Sequence, residues 1–241
     1  FCTDELIELE KKVLSAQSRR FDLEFAIFEE FRKEALALAT QVLSLAQETA
    51  RLDVATSAAW LAIEKKYVRP KLGTAHIRLV SSRHVVVEQF SKTFVPNTIH
   101  IDNGGCLLLT GPNMAGKSTL MRQVALSVLL AQIGFYVPAL EAELPIFESL
   151  YTRIGASDQL SEGLSTFMVE MQETSEMLKN ATEKSLLILD EVGRGTSTFD
   201  GMSLAQAILE HIVKNLKAQT LFATHYHELT TLENEFPQIK N

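Results

Sequence analysis

Gly111-Pro112-Asn113-Met114-Ala115-Gly116-Lys117-Ser118 fits the spacing G-x-x-x-x-G-K-[ST], and its flanks decide the fold. Before it, Cys106-Leu107-Leu108-Leu109 reads as a buried strand, and after it Thr119 to Leu130 reads as a helix. A glycine loop between strand and helix turns backbone N–H groups inward at the positive end of the helix, where anions are favoured. The motif places Lys117 on the β- and γ-phosphates of a nucleotide and the Ser118 hydroxyl on Mg²⁺.

Downstream, Leu186-Leu187-Ile188-Leu189-Asp190-Glu191 is an apolar run ending in two carboxylates, the pattern of a buried parallel strand whose C-terminal edge faces a ligand. Asp190 is expected to hold Mg²⁺, directly or through water. Glu191 points elsewhere and can orient or deprotonate the attacking water. Between Pro70 and the glycine loop lie short β-rich runs: His76 to Val80, His84 to Val87, Thr98 to Ile101 and Cys106 to Thr110. Strand and helix patterns then alternate to the end. The fold class is therefore α/β, a P-loop NTPase with a mostly parallel sheet flanked by helices.

Upstream, Asp4 to Tyr67 contains neither Gly nor Pro, and Glu, Lys, Leu, Ala and Arg dominate it. That composition, with Leu6, Leu9, Val13, Leu14, Phe21, Phe25 and Phe28 at helical spacings, predicts a long helical segment over residues 1–67, with Thr3 or Asp4 as its cap. About 40 helical residues extend on the order of 60 Å at 1.5 Å per residue, and such a rod needs a partner. A weak break is expected at Glu48 to Asp53, followed by a second helix from Val54 to Lys66. Residues 68–241 form the second domain.

The 241 residues are 46% hydrophobic and 22% charged, which excludes disorder and a disulfide-stapled mini-domain. A formal net charge of −7 argues against DNA binding through the bulk electrostatics of this chain. Cys2 and Cys106 form no C-x-x-C pair, which fits a reducing compartment and offers no zinc site. The most apolar stretch, Val124 to Leu140, is interrupted by Ser127, Gln132, Gly134 and Pro138 and falls short of the roughly 20 residues of a membrane span. It reads as a buried helix.

Three further pieces sort the family. Ser165-Thr166 opens an apolar-periodic run, Phe167-Met168-Val169-Glu170-Met171, and can cap a helix or grip a phosphate. Gly193-Arg194-Gly195-Thr196-Ser197-Thr198-Phe199-Asp200-Gly201 is a small-residue loop, and Thr220 to His225 is a strand ending in histidine. The pair His225-x-His227 lacks a third ligand for a metal. This order is that of the ABC-type ATPases. In wording, Thr110 to Thr119, Tyr151 to Asp158, Ser165 to Met171, Asp190 to Gly201 and Phe222 to Leu229 closely resemble the MutS family of DNA mismatch repair ATPases, over nearly the whole chain.

The resemblance implies more than the residues do. Residues 1–67 correspond to helices of the lever and clamp region. Gly111, Pro112, Asn113, Met114, Ala115, Gly116, Lys117, Ser118 and Thr119 bind ATP or ADP, and Asn113 contacts nucleotide or the attacking water. Phe94 stacks on adenine. Ser165 and Thr166 act in trans on the γ-phosphate of a partner subunit, His225 senses that phosphate, and Arg194 sits at the dimer contact. Lys117, Glu191, His225 and Asn113 form the catalytic set, with Mg²⁺ on Ser118 and Asp190. The implied partners are a second MutS-type subunit in a homodimer or heterodimer, mismatched DNA through domains absent from this chain, and a MutL-type protein. The implied setting is cytoplasmic and nucleoid-associated in a bacterium, or nuclear in a eukaryote, with no membrane.

Departures from the family pattern are local. Leu120 replaces an aromatic residue, and Ser82 and Val85 interrupt a Gly-Arg-His-Pro pattern around Arg83-His84. Because the chain begins at Phe1 and ends at Asn241, it is expected to be a piece of a longer protein, with the last sheet strands and a helical dimerisation tail missing. Two other readings stand beside mismatch repair: a MutS-like paralogue acting in recombination or ribosome rescue, and a nucleotide-binding interaction module with weak catalysis.

Overall fold

The computed structural model describes residues 3–91, 93–112, 115–154 and 166–241. The chain divides into two compact units, Phe1–Ala59 and Trp60–Asn241.

The first unit is helical. Helix α1, Asp4–Lys65, begins beside Thr3, whose carbonyl accepts the Leu6 and Ile7 amides. Ion pairs one turn apart line its surface, including Glu29–Arg32, bidentate at 2.8 Å, and Glu48–Arg51 at 2.7 Å. Each such pair contributes about 0.2–0.5 kcal/mol. The break expected at Glu48 to Asp53 is absent, and Val54 to Lys65 continue the same helix rather than forming a second one. The reason is local: the stretch holds neither Gly nor Pro, Arg51 pairs with Glu48 along the helix, and the Thr49 hydroxyl bonds the Leu45 carbonyl one turn back, a contact made with the backbone kept helical. Phe21, Phe25 and Phe28, on the rod expected to need a partner, are exposed, as is Phe31.

The second unit contains the end of α1. There Lys66 adopts φ 55° and the Tyr67 amide reaches back to the Ala62 carbonyl at 2.9 Å, the hydrogen bond of a Schellman terminus built without glycine. Two sheets follow. The smaller has the order β1 (Lys71–Leu72), β5 (Glu141–Leu144), β2 (Ile77–Ser82) and β3 (Asn97–Ile101), with β2 antiparallel to both neighbours. The larger is wholly parallel, ordered β6 (Ser149–Arg153), β7 (Ser185–Asp190), β8 (Gln219–Thr224), β4 (Cys106–Thr110) and β9 (Ile239–Lys240).

Both faces of the parallel sheet are buried. Leu186 and Ile188 join Met121, Val124 and Val128 of α3 (Lys117–Gln132) and the inner face of the smaller sheet. Leu187 and Leu189 face the other way, among Met177 of α4 (Thr166–Asn180) and Ala205, Ile208 and Leu209 of α5 (Thr198–His211). Alternation within β7 thus serves two cores at once, which is why its sequence is uniformly apolar. The helix read over Val124 to Leu140 stops sooner, at Gln132, because Gly134 turns the chain at φ 89° and Val137 enters an antiparallel bridge with Val68. Among the described residues no helix is long and apolar enough to cross a membrane.

The run His84 to Val87, expected as a strand, is instead a turn leading into the short helix α2 (Val87–Phe90). His84 Nδ1 accepts the Val86 and Val87 amides at 3.2 and 3.3 Å, removing them from any ladder. Glu88 fixes the turn from the other side, accepting the Tyr67 hydroxyl at 2.6 Å and pairing with Arg83 at 2.9 Å. Burial holds the His84 ring below the ordinary value of 6.5, assisted by the positive charge of Arg122. A histidine whose folded pKa is depressed takes up its proton more readily in the unfolded chain, so stability is complete above pH 6.5 and falls as pH drops below it. His84→Asn, which keeps an acceptor for the amides, should flatten the decline in melting temperature between about pH 7 and pH 5.

Candidate nucleotide-binding site

Parallel pairing sets the site. Thr110 at the end of β4 is in register with Thr224 at the end of β8, and Asp190 at the end of β7 is in register with Ala223. The glycine loop, the acidic pair and the histidine therefore leave the sheet at one edge, the position where parallel α/β sheets bind ligands.

At the loop, Gly111 takes φ 138° and Gly116 φ 91°, conformations that a side chain rarely adopts, and α3 begins at Lys117 immediately after. Lys117 is 9% exposed. Its ammonium donates to the carbonyls of Gly111 at 2.7 Å and Pro112 at 3.2 Å and lies 3.7 Å from Glu191 Oε1. The Ser118 hydroxyl donates to Asp190 Oδ2 at 2.5 Å. Asp190 Oδ1 is buried without a hydrogen-bond partner among the described residues. A hydroxyl oxygen beside a carboxylate with one oxygen uncommitted is the hard donor set that Mg²⁺ prefers, so Ser118 and Asp190 fit that ion.

Glu191 continues the ladder by donating its amide to the Ala223 carbonyl at 2.9 Å, then turns into the left-handed region at φ 53°. For a residue with a side chain this is strained, and it aims the carboxylate away from that of Asp190. The two Glu191 oxygens are divided, Oε1 towards Lys117 and Oε2 to Arg194 Nη1 at 2.9 Å. Gly111, Pro112, Glu191, Arg194, His225 and His227 line a cleft of about 310 Å³ beside this cluster. His225 follows β8 directly, its ring tilted against Tyr226 with centroids 4.0 Å apart.

The structure thus gathers Gly111, Pro112, Lys117, Ser118, Asp190, Glu191, Arg194 and His225, with Ala115, Gly116 and Thr119 in the loop and first turn of α3. Phe94 does not line the cleft; it is half-buried between the short helix and β3. Thr166 opens α4, while Asn113, Met114 and Ser165 lie outside the described residues, as does Cys2.

Sequence reading missed three participants. Glu170, 8% exposed, accepts the Gly193 amide at 2.7 Å. Tyr226 donates its hydroxyl to the Gly193 carbonyl at 3.1 Å; burial first, and the nearby negative charge of Glu170 second, push its phenol up and keep it a donor. Gly201 packs directly on Gly193. The available signal was Glu170 itself, a carboxylate placed in helical register with buried Thr174 and Met177.

Residues 107–241 match the family described as MutS domain V. Over its whole length the chain is 50% identical to the DNA mismatch repair protein MutS of Alkaliphilus metalliredigens, 49% to that of Clostridioides difficile and 46% to that of Bacillus subtilis. It spans 28%, 26% and 28% of those proteins, about a quarter of their length.

A Cβ at Gly201 would overlap the Gly193 carbonyl and the Tyr226 hydroxyl, and the neighbour that must yield is backbone. Gly201→Ala should therefore destabilise the second unit by about 1–3 kcal/mol, read from urea unfolding, an overpacking effect.

Proposed function

From the premise that the chain belongs to the MutS domain V family, we propose that it is the ATP-binding and ATP-hydrolysing module of a MutS-type DNA mismatch repair protein. The observation that carries this reading is the convergence of Lys117, the Ser118–Asp190 pair, Glu191 and His225 at adjacent ends of parallel strands. In this reading the fold is a P-loop ATPase of the ABC class, and the glycine loop with the first turn of α3 cradles the phosphates of ATP or ADP. Lys117 exchanges the Gly111 and Pro112 carbonyls for phosphate oxygens. Ser118 and Asp190 hold Mg²⁺, which supplies positive charge against the phosphates when bound. Glu191, released from Lys117 as that exchange occurs, orients a water or accepts its proton. Asn113 contacts the nucleotide or that water, His225 senses the γ-phosphate, and Phe94 stacks on adenine.

Residues 165 and 166, Ser165 and Thr166, complete the site of a second MutS-type subunit, and Arg194 sits at the contact between the two. Homodimer and heterodimer are equally compatible with such composite sites, and nucleotide that bridges them favours pairing. Binding and loss of the γ-phosphate are passed through α1 to DNA-binding domains that engage mismatched DNA, with a MutL-type protein as the downstream partner. The names carried by the relatives favour mismatch repair over a paralogue acting in recombination or ribosome rescue. The organisms of those relatives are bacteria, and the setting proposed with this reading is cytoplasmic and nucleoid-associated.

The test is ATP hydrolysis with Mg²⁺ as a function of protein concentration. Specific activity should rise with concentration, Glu191→Ala should lower kcat by about 10²–10⁴-fold with nucleotide still bound, and Lys117→Ala should weaken nucleotide binding itself. Activity independent of concentration and indifferent to Glu191 would overturn the mechanism.

A further inference from the structure

Two parts of one chain are expected to serve different composite sites: Glu191 and His225 its own nucleotide, and the start of α4 that of the partner subunit. Glu170 lies between them. Its helix position falls on the buried stripe with Thr174 and Met177, where an apolar side chain would continue the core. Burying a carboxylate there is unfavourable unless its oxygens are satisfied. Oε1 accepts the Gly193 amide at 2.7 Å, and Oε2 lies 4.0 Å from Nη2 of Arg153 at the end of β6.

Gly193 is two residues beyond Glu191, with buried Val192 between them, and takes φ 88°. Its carbonyl is held by Tyr226, the neighbour of His225. The same loop meets α4 a second time, since a Cβ at Gly195 would lie 2.9 Å from Cβ of Phe167 in the first turn of that helix. These two contacts tie the first turns of α4 to the Gly193 loop, two residues from the strained turn at Glu191, whose carboxylate is shared between Lys117 and Arg194.

We infer that Glu170 is a positioning residue whose carboxylate clamps α4 to the Gly193 turn, so that engagement of the helix by the partner's nucleotide sets the geometry of Glu191 at the other site. This rests on the composite-site reading above. The clamp on Gly193 needs only an acceptor at position 170; the negative charge faces Arg153, which also pairs with Glu173 at 3.1 Å.

The test uses the full-length two-subunit protein with ATP and Mg²⁺. Glu170→Met restores an apolar stripe and removes the acceptor. It should remain folded with a melting temperature lowered by the Gly193 amide and Arg153 guanidinium left one partner short, and lower kcat by about 10–100-fold with KM within about threefold, the scale of an ångström-sized misplacement of a reacting group. Glu170→Gln, which retains a carbonyl oxygen for the Gly193 amide, should restore kcat to within about threefold. Tyr226→Phe releases the other side of Gly193 and should lower kcat in the same way, with an effect that does not multiply with that of Glu170→Met. A folded Glu170→Met protein with unchanged kcat overturns the clamp. Should that variant not fold, unchanged kcat in Tyr226→Phe overturns it instead. Glu191→Ala measured alongside separates the two ideas: if it leaves hydrolysis intact, the ATPase reading fails, whereas loss of hydrolysis there with unchanged kcat in the clamp variants removes the clamp alone.

Discussion

Parallel pairing of β7 and β4 on either side of β8 is the constraint on which the site depends. Strands that run in one direction end at one edge, so the ladder itself brings together the groups that follow them. Parallel ladders also require both faces to be covered, and the two cores built on alternate residues of β7 meet that requirement. The apolar run that ends in Asp190 is thus at once the centre of the hydrophobic core and the mount for the carboxylates. Stability and chemistry are joined at one strand, and the polar groups begin where burial by the flanking helices ends.

At that edge the charges are arranged by competition. Lys117 is almost wholly buried and satisfied by two backbone carbonyls, with Glu191 nearby as counter-ion. Glu191 is shared with Arg194, which is largely exposed. A buried ammonium without such partners is strongly unfavourable, and any anion that approaches the loop displaces weaker dipoles with a stronger charge. The same group that lies beside Lys117 is the one proposed to act on water, so in that proposal occupation of the loop and release of Glu191 are linked through electrostatics. The left-handed backbone at Glu191 is stored strain that the Ala223 hydrogen bond below and the Gly193 turn above hold in place.

Elements outside the site show where local preference was overruled and where it was not. The β-branched run at His84 to Val87 favoured a strand, but the His84 ring and Glu88 offered its neighbourhood better hydrogen bonds than a sheet edge could. Around Thr49 the opposite happened, since the side chains bonded within the helix and α1 ran through. In both cases a hydrogen bond of a few residues' reach decided the outcome, and neither is visible in hydrophobic periodicity.

By itself the amino-acid sequence determined the strand–loop–helix around Lys117, the buried strand ending in Asp190 and Glu191, the strand before His225, and the long helix without Gly or Pro. These follow from propensity, periodicity and spacing, all of which act over a few residues. Only the tertiary structure decided that β8 lies between β7 and β4, that Ser118 meets Asp190, and that Glu170 reaches the Gly193 amide. Those outcomes depend on which distant segments cover each other's apolar faces, and on where a buried carboxylate finds its donor, and no local window of sequence contains either partner.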